Sequence, residues 1–116
     1  MNGAEAMVKC LEEEGITRIF GYPGVAISPF YEALYNAGPI EHVLVRQEQA
    51  AGHAASGYAR ISRKAAVCVT SSGPGATNLI TALATAYADS IPLIAITGQV
   101  NSNLLGRDVF QEADMR

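Results

Sequence analysis

Apolar positions at Ala4, Met7, Val8 and Leu11 recur with helical spacing, with Asn2 as a candidate cap, Glu5 three residues later and Gly15 as a stop. The period then changes. A short apolar run from Thr17 to Phe20 precedes the loop Gly21-Tyr22-Pro23-Gly24, and Ser28-Pro29 opens a second helix as cap and first-turn proline, closed by Gly38-Pro39. The alternation continues with a strand from Ile40 to Val45, a helix from about Gln47 to Arg60, and a strand from Ala65 to Val69. A helix from Thr77 to Ala88 and a strand from Leu93 to Thr97 complete it.

Short β-rich runs alternating with helices predict an α/β fold, a parallel sheet covered by helices on both faces. Ala65-Ala66-Val67-Cys68-Val69 and Leu93-Ile94-Ala95-Ile96 are continuous rather than alternating, as central strands buried on both sides would be. Ligands of such sheets bind beyond the carboxyl ends of the strands. The loops expected there are Gly21 to Gly24, Arg46-Gln47-Glu48, Ser71 to Gly75 and Gly98-Gln99-Val100, so the candidate chemistry gathers on one edge.

Composition adds a partner to this picture. The 116 residues suit one domain, residues 1–116, but 49% hydrophobic and 16% charged residues are rich and poor respectively for so short a soluble chain. Part of the apolar surface is expected to meet another subunit or domain. The net charge of −3 comes with scattered basic residues, which argues against nucleic acid. No apolar run is long enough for a membrane span, and no charged-then-apolar leader opens the chain. Cys10 and Cys68 show no ligand spacing and read as reduced core residues of a cytoplasmic protein. The polar stretch after Gly98 leads to Arg116 with nothing to close the sheet, so the chain reads as a C-terminally truncated piece of a longer one.

Glu48 is the conspicuous candidate for chemistry. It stands where an apolar strand meets the small-residue helix of Ala50, Ala51, Ala54 and Ala55, which can pack closely enough to desolvate it in part. The competing role is that of a first-turn Glu satisfying helix amides and dipole. Ser71-Ser72-Gly73-Pro74-Gly75-Ala76-Thr77-Asn78 is a glycine-bearing loop at a helix start, suited to close ligand approach, yet it is neither a Walker A nor a GxGxxG motif. His53 reads as a packing or hydrogen-bonding residue and His42 as an exposed one, and no metal site is expected.

Six motifs occur in order: Gly21-Tyr22-Pro23-Gly24, Arg46-Gln47-Glu48-Gln49, Gly52-His53, Gly57-Tyr58-Ala59-Arg60, Ser72 to Asn78 and Thr97-Gly98-Gln99-Val100. Together they resemble the N-terminal pyrimidine-binding domain of thiamine-diphosphate enzymes, over nearly the whole chain. The tail Gly106-Arg107-Asp108-Val109-Phe110-Gln111-Glu112 resembles, within that superfamily, the catalytic subunits of acetohydroxyacid (acetolactate) synthases. The resemblance implies a carboligase that decarboxylates pyruvate and joins the remaining two carbons to a second 2-keto acid, in branched-chain amino-acid biosynthesis. It implies that Glu48 is the catalytic carboxylate at the aminopyrimidine ring nitrogen N1′, and that Tyr22, Pro23, Gly24, Ser71, Pro74, Gly75 and Asn78 line the pyrimidine side of thiamine diphosphate. Gln99 would lie near the reacting carbon as a second catalytic residue, with Phe110 and Gln111 contacting substrate.

The resemblance further implies Mg2+ and FAD in the full-length enzyme, with ligands outside this chain, a homo-oligomer of at least two subunits, and a regulatory subunit as a candidate partner. The isolated piece would be inactive. Three positions depart from the family pattern: Val25 follows Gly24 where glycine is usual, Gln47 stands where His commonly precedes the Glu, and Ser71 replaces Thr. Val25 leaves open another thiamine-diphosphate decarboxylase or oxidase of 2-keto acids. A non-catalytic domain of the same fold is the other alternative.

Overall fold

The computed structural model describes residues 1–114 and contains four parallel strands: β1 (Arg18–Gly21), β2 (Glu41–Leu44), β3 (Ala66–Thr70) and β4 (Leu93–Thr97). Their order across the sheet is β2-β1-β3-β4. The helices are α1 (Gly3–Glu13), α2 (Ser28–Asn36), α3 (Glu48–Ser62), α4 (Pro74–Thr77) and α5 (Ile80–Ala88). No helix among the described residues is long and apolar enough to cross a membrane.

Local sequence explains most boundaries. The Asn2 side chain accepts from the Glu5 amide while the Glu5 carboxylate accepts from the Asn2 amide, the reciprocal capping box read from the sequence. Pro29 sits in the first turn of α2, but Ser28 does not cap it. Its hydroxyl donates instead to the Val25 carbonyl at 2.8 Å, closing the short turn Val25–Ile27. The helix expected from Thr77 to Ala88 is two pieces: Pro74 nucleates α4 directly after Gly73, and α5 restarts at Ile80. A proline at the first helical position needs no amide partner, which is why the helix begins earlier than apolar periodicity suggests.

Two apolar layers cover the sheet. Val8, Leu11, Phe30, Ala33 and Leu34 of α1 and α2 bury Ile19, Val67 and Val69 on one face. Ala51, Ala55 and Ala59 of α3, with Leu79, bury Phe20, Ala66 and Cys68 on the other. The alanine stripe is what lets α3 lie close, and Gly52 extends it: a Cβ there would stand 2.5 Å from that of Ala82.

The chain winds to β2 on one side of β1 and then returns to β3 on the other, so the connections after β1 and β3 diverge at a switch point. Three sequence expectations change. β4 is an edge strand, and Ile94 is 42% exposed, so its continuous apolar character does not reflect burial on both faces here. Cys10 lies on the outer side of α1 and is exposed, whereas Cys68 is a core residue. Burial pushes the Cys68 thiol up to about 11. His42 is half-buried rather than exposed, because its ring meets Tyr31 edge to face with centroids 5.0 Å apart.

Candidate functional site

The carboxyl ends of the parallel strands bring the loops after β1, β2 and β3 to one edge, and the site is built from their first residues. After β1 the chain stays extended: the Tyr22 amide donates to the Val69 carbonyl at 3.1 Å, which carries Tyr22, Pro23 and Gly24 toward β3. Gly24 then meets Ser71. A Cβ at Gly24 would stand 2.6 Å from both Cβ and Oγ of Ser71, closer than real side chains approach, so the absent side chain is what permits this crossing. Val25, which follows, is 87% exposed.

Glu48 is the first residue of α3, yet it does not cap it. The Gln47 side chain takes the Ala50 amide at 3.1 Å, so the first turn is satisfied by the neighbouring residue. Glu48 is half-buried and reaches across to the glycine-bearing loop, where Asn78 Nδ2 donates to its Oε2 at 3.0 Å. Its Oε1 lies 3.6 Å from where a Cβ of Gly75 would stand, and among the described residues no donor reaches it. Ser71 Cβ lies 3.3 Å from that same Gly75 position. Glu48, Ser71, Gly24, Gly75 and Asn78 therefore form one cluster at the switch point.

At the end of β3 lies a feature that sequence reasoning missed. The hydroxyls of Thr70, Ser71 and Ser72 are buried and have no hydrogen-bond partner among the described residues. Three hydroxyl residues in succession at the end of an apolar strand were the available signal, since a buried hydroxyl without a partner is costly.

The segment after β4 returns to the same edge. Gly73, with φ +52°, packs directly on the Gln111 backbone, whose carbonyl oxygen would be 2.4 Å from a Cβ there. Gln111 is thus brought to the cluster through its main chain, while Phe110 stands 86% exposed. Gln99 is engaged elsewhere: its Nε2 donates to the Ala113 carbonyl at 3.0 Å and its Oε1 accepts from the Val100 amide at 2.9 Å. His53 is exposed, with Nε2 3.4 Å from the Gln49 side-chain nitrogen.

A bound group entering here would meet a carboxylate with one oxygen held and one open, and backbone brought close at Gly24 and Gly75. That donor set fits a flat heterocycle with ring and exocyclic nitrogens. The family model for the N-terminal TPP-binding domain of thiamine pyrophosphate enzymes matches residues 1–115. The chain belongs to this family. Among curated relatives it is 62% identical over 114 residues to the probable acetolactate synthase large subunit of Methanocaldococcus jannaschii, covering 98% of this chain and 19% of that protein. It is 56% identical over 116 residues to the acetolactate synthase large subunit of Corynebacterium glutamicum, covering 100% of this chain and 18% of the relative. The Haemophilus influenzae acetolactate synthase large subunit is 54% identical over 115 residues, with 99% and 20% covered. The chain thus spans about a fifth of the length of the curated relatives it matches.

Proposed function

We propose that the chain is the pyrimidine-facing domain, residues 1–116, of an acetolactate synthase, a thiamine-diphosphate carboligase that acts on pyruvate and a second 2-keto acid. The observation that carries this reading is Glu48: freed from capping by Gln47, it is held by Asn78 with one oxygen open to the crevice. The names and identities of the relatives support the choice within the family.

Thiamine diphosphate, when bound, would supply the carbon centre to which the keto acid adds and the electron sink for loss of the keto acid's own carboxylate as carbon dioxide. In this reading Glu48 holds a proton at N1′ of the aminopyrimidine, and Asn78 keeps the carboxylate in place for it. Tyr22, Pro23 and Gly24 together with Ser71, Pro74 and Gly75 line the pyrimidine side, with Gly24 and Ser71 packed against each other at its base. Phe110 and Gln111 face substrate, and Gln99 serves near the reacting carbon once its present contacts rearrange.

The remaining parts of the enzyme belong to the same proposal. Mg2+ and FAD bind through residues outside this chain. The site is completed by another domain of a partner subunit, so the working unit is at least a homodimer, located in the cytoplasm and open to a regulatory subunit. The uncovered residues Ile80 and Tyr87 of α5 and Ile94 of β4 support a covering partner. The 116-residue piece alone is inactive.

The test supplies pyruvate, thiamine diphosphate, Mg2+ and FAD to the protein extended to the length of its relatives. Release of carbon dioxide with formation of acetolactate supports the assignment. Decarboxylation to acetaldehyde or acetate without acetolactate assigns it to a neighbouring decarboxylase or oxidase, and no turnover of any 2-keto acid rejects it.

A further inference from the structure

One side chain organises the turn that follows β4. The Glu112 carboxylate accepts hydrogen bonds from the backbone amides of Gly106, of Arg107 at 3.3 Å and of Val109 at 3.4 Å. The Gly106 contact above all, with smaller contributions from the Val109, Arg107 and Asp108 amides, holds its carboxyl below the ordinary Glu range, against a partial desolvation effect. Within the same stretch Gly106, Asp108 and Gln111 have φ of 74°, 53° and 59°. Left-handed backbone at Asp108 and Gln111 is disfavoured by their side chains and persists only where surrounding contacts impose it.

Two further ties fix the ends of the turn to the site edge. Gln99 holds the Ala113 carbonyl, and the Gln111 backbone lies against Gly73. Between the carboxylate and these ties, Phe110 is presented almost fully exposed. Phe110 is therefore an exposed aromatic side chain whose place is set by a constrained turn.

We propose that Glu112 is a positioning residue: its carboxylate gathers the amides of residues 106–109 and so sets Phe110 and Gln111 toward the 2-keto acid. This rests on the acetolactate synthase reading, and it adds a residue that touches neither cofactor nor substrate. Recognition of the keto acid then depends on Glu112 through the geometry of the turn.

The experiment compares E112Q, E112A and E112D in the extended, cofactor-loaded protein. Gln keeps one acceptor oxygen and Ala keeps none, so hydrogen exchange of the peptide covering 106–112 should quicken in the order wild type, E112Q, E112A, by about tenfold or more at the last. KM for pyruvate should rise in the same order, by about tenfold in E112A, with kcat changed by less than about twofold and thiamine-diphosphate affinity unchanged. E112D, which keeps the charge, should recover part of both.

Unchanged exchange in E112A overturns the inference at its structural base. Faster exchange with unchanged KM overturns it at the functional step, because the turn then does not present residues to substrate. Failure of the underlying reading has a separate signature: E48Q would retain turnover, whatever the Glu112 variants do.

Discussion

Asn78 Nδ2 donates to Glu48 Oε2 at 3.0 Å, joining the start of α3 to the end of α4 across the switch point of the sheet. The contact links two loops separated by thirty residues in sequence and fixes the direction of the Glu48 carboxylate. A hydrogen bond to a charged group contributes about 1.5–3 kcal/mol when shielded, and less at an exposed donor such as Asn78. N78A should therefore weaken thiamine-diphosphate binding by roughly tenfold while leaving circular dichroism unchanged. Titration calorimetry on the two proteins checks this, and equal affinities would remove Asn78 from the site.

Gln47 and Glu48 are adjacent but should behave oppositely. Gln47 is the cap of α3, so Q47A should lower stability by about 1 kcal/mol. E48Q should leave the unfolding free energy, measured by urea titration, within about 0.5 kcal/mol of wild type, as for a residue whose loss breaks no packing or cap. A large loss of stability in E48Q would return Glu48 to a structural role.

The crossing of Gly24 over Ser71 makes a size prediction. G24A places a methyl 2.6 Å from Ser71 Cβ and Oγ, and should cost about 1–3 kcal/mol of stability. S71G removes the obstructing atoms, so the double variant should recover most of that loss. Thermal unfolding of the four proteins measures the coupling, and additive effects would contradict the close approach.

Much of this was legible beforehand, for physical reasons that differ by element. The strands and α3 were readable because β-rich runs and an alanine stripe report burial directly, and Asn2 with Glu5 is a local signal that depends on nothing else. The edge position of β4 was not, because an apolar run is written the same way whether its cover comes from this chain or from a partner. The Glu48 position was marked, but its freedom from capping depends on which way the Gln47 side chain turns. Glu112 was legible only as part of a motif, since its role arises from a turn that brings three amides onto one carboxylate.

His42 gives the fold a pH dependence with a defined sign. Desolvation lowers its pKa below the ordinary His value of 6.5, outweighing a hydrogen bond to the Gly21 backbone that raises it, and its Nε2 lies 3.1 Å from the Tyr31 hydroxyl. The folded state therefore favours the neutral ring. Its contribution is fully present above pH 6.5 and is lost as pH falls from there through the lowered folded value. Urea midpoints between pH 8 and pH 5 should decline in wild type and decline less in H42N. Parallel curves would contradict the assignment.

The two cysteines should separate cleanly in reactivity. Cys10 is exposed, while Cys68 is buried with its thiol raised to about 11. A thiol reagent at pH 8 should modify one residue rapidly in the native protein and the second only after unfolding. Rapid reaction of both would show that β3 is not held as described.

The most direct measurement is the rate at which the C2 proton of bound thiamine diphosphate exchanges with deuterium, followed by NMR in wild type and E48Q of the extended protein at saturating cofactor. If Glu48 holds the proton at N1′, exchange should fall by about 10²–10⁴-fold in E48Q with the fold intact. Equal rates in the two saturated proteins would contradict the role assigned to Glu48, and with it the central claim.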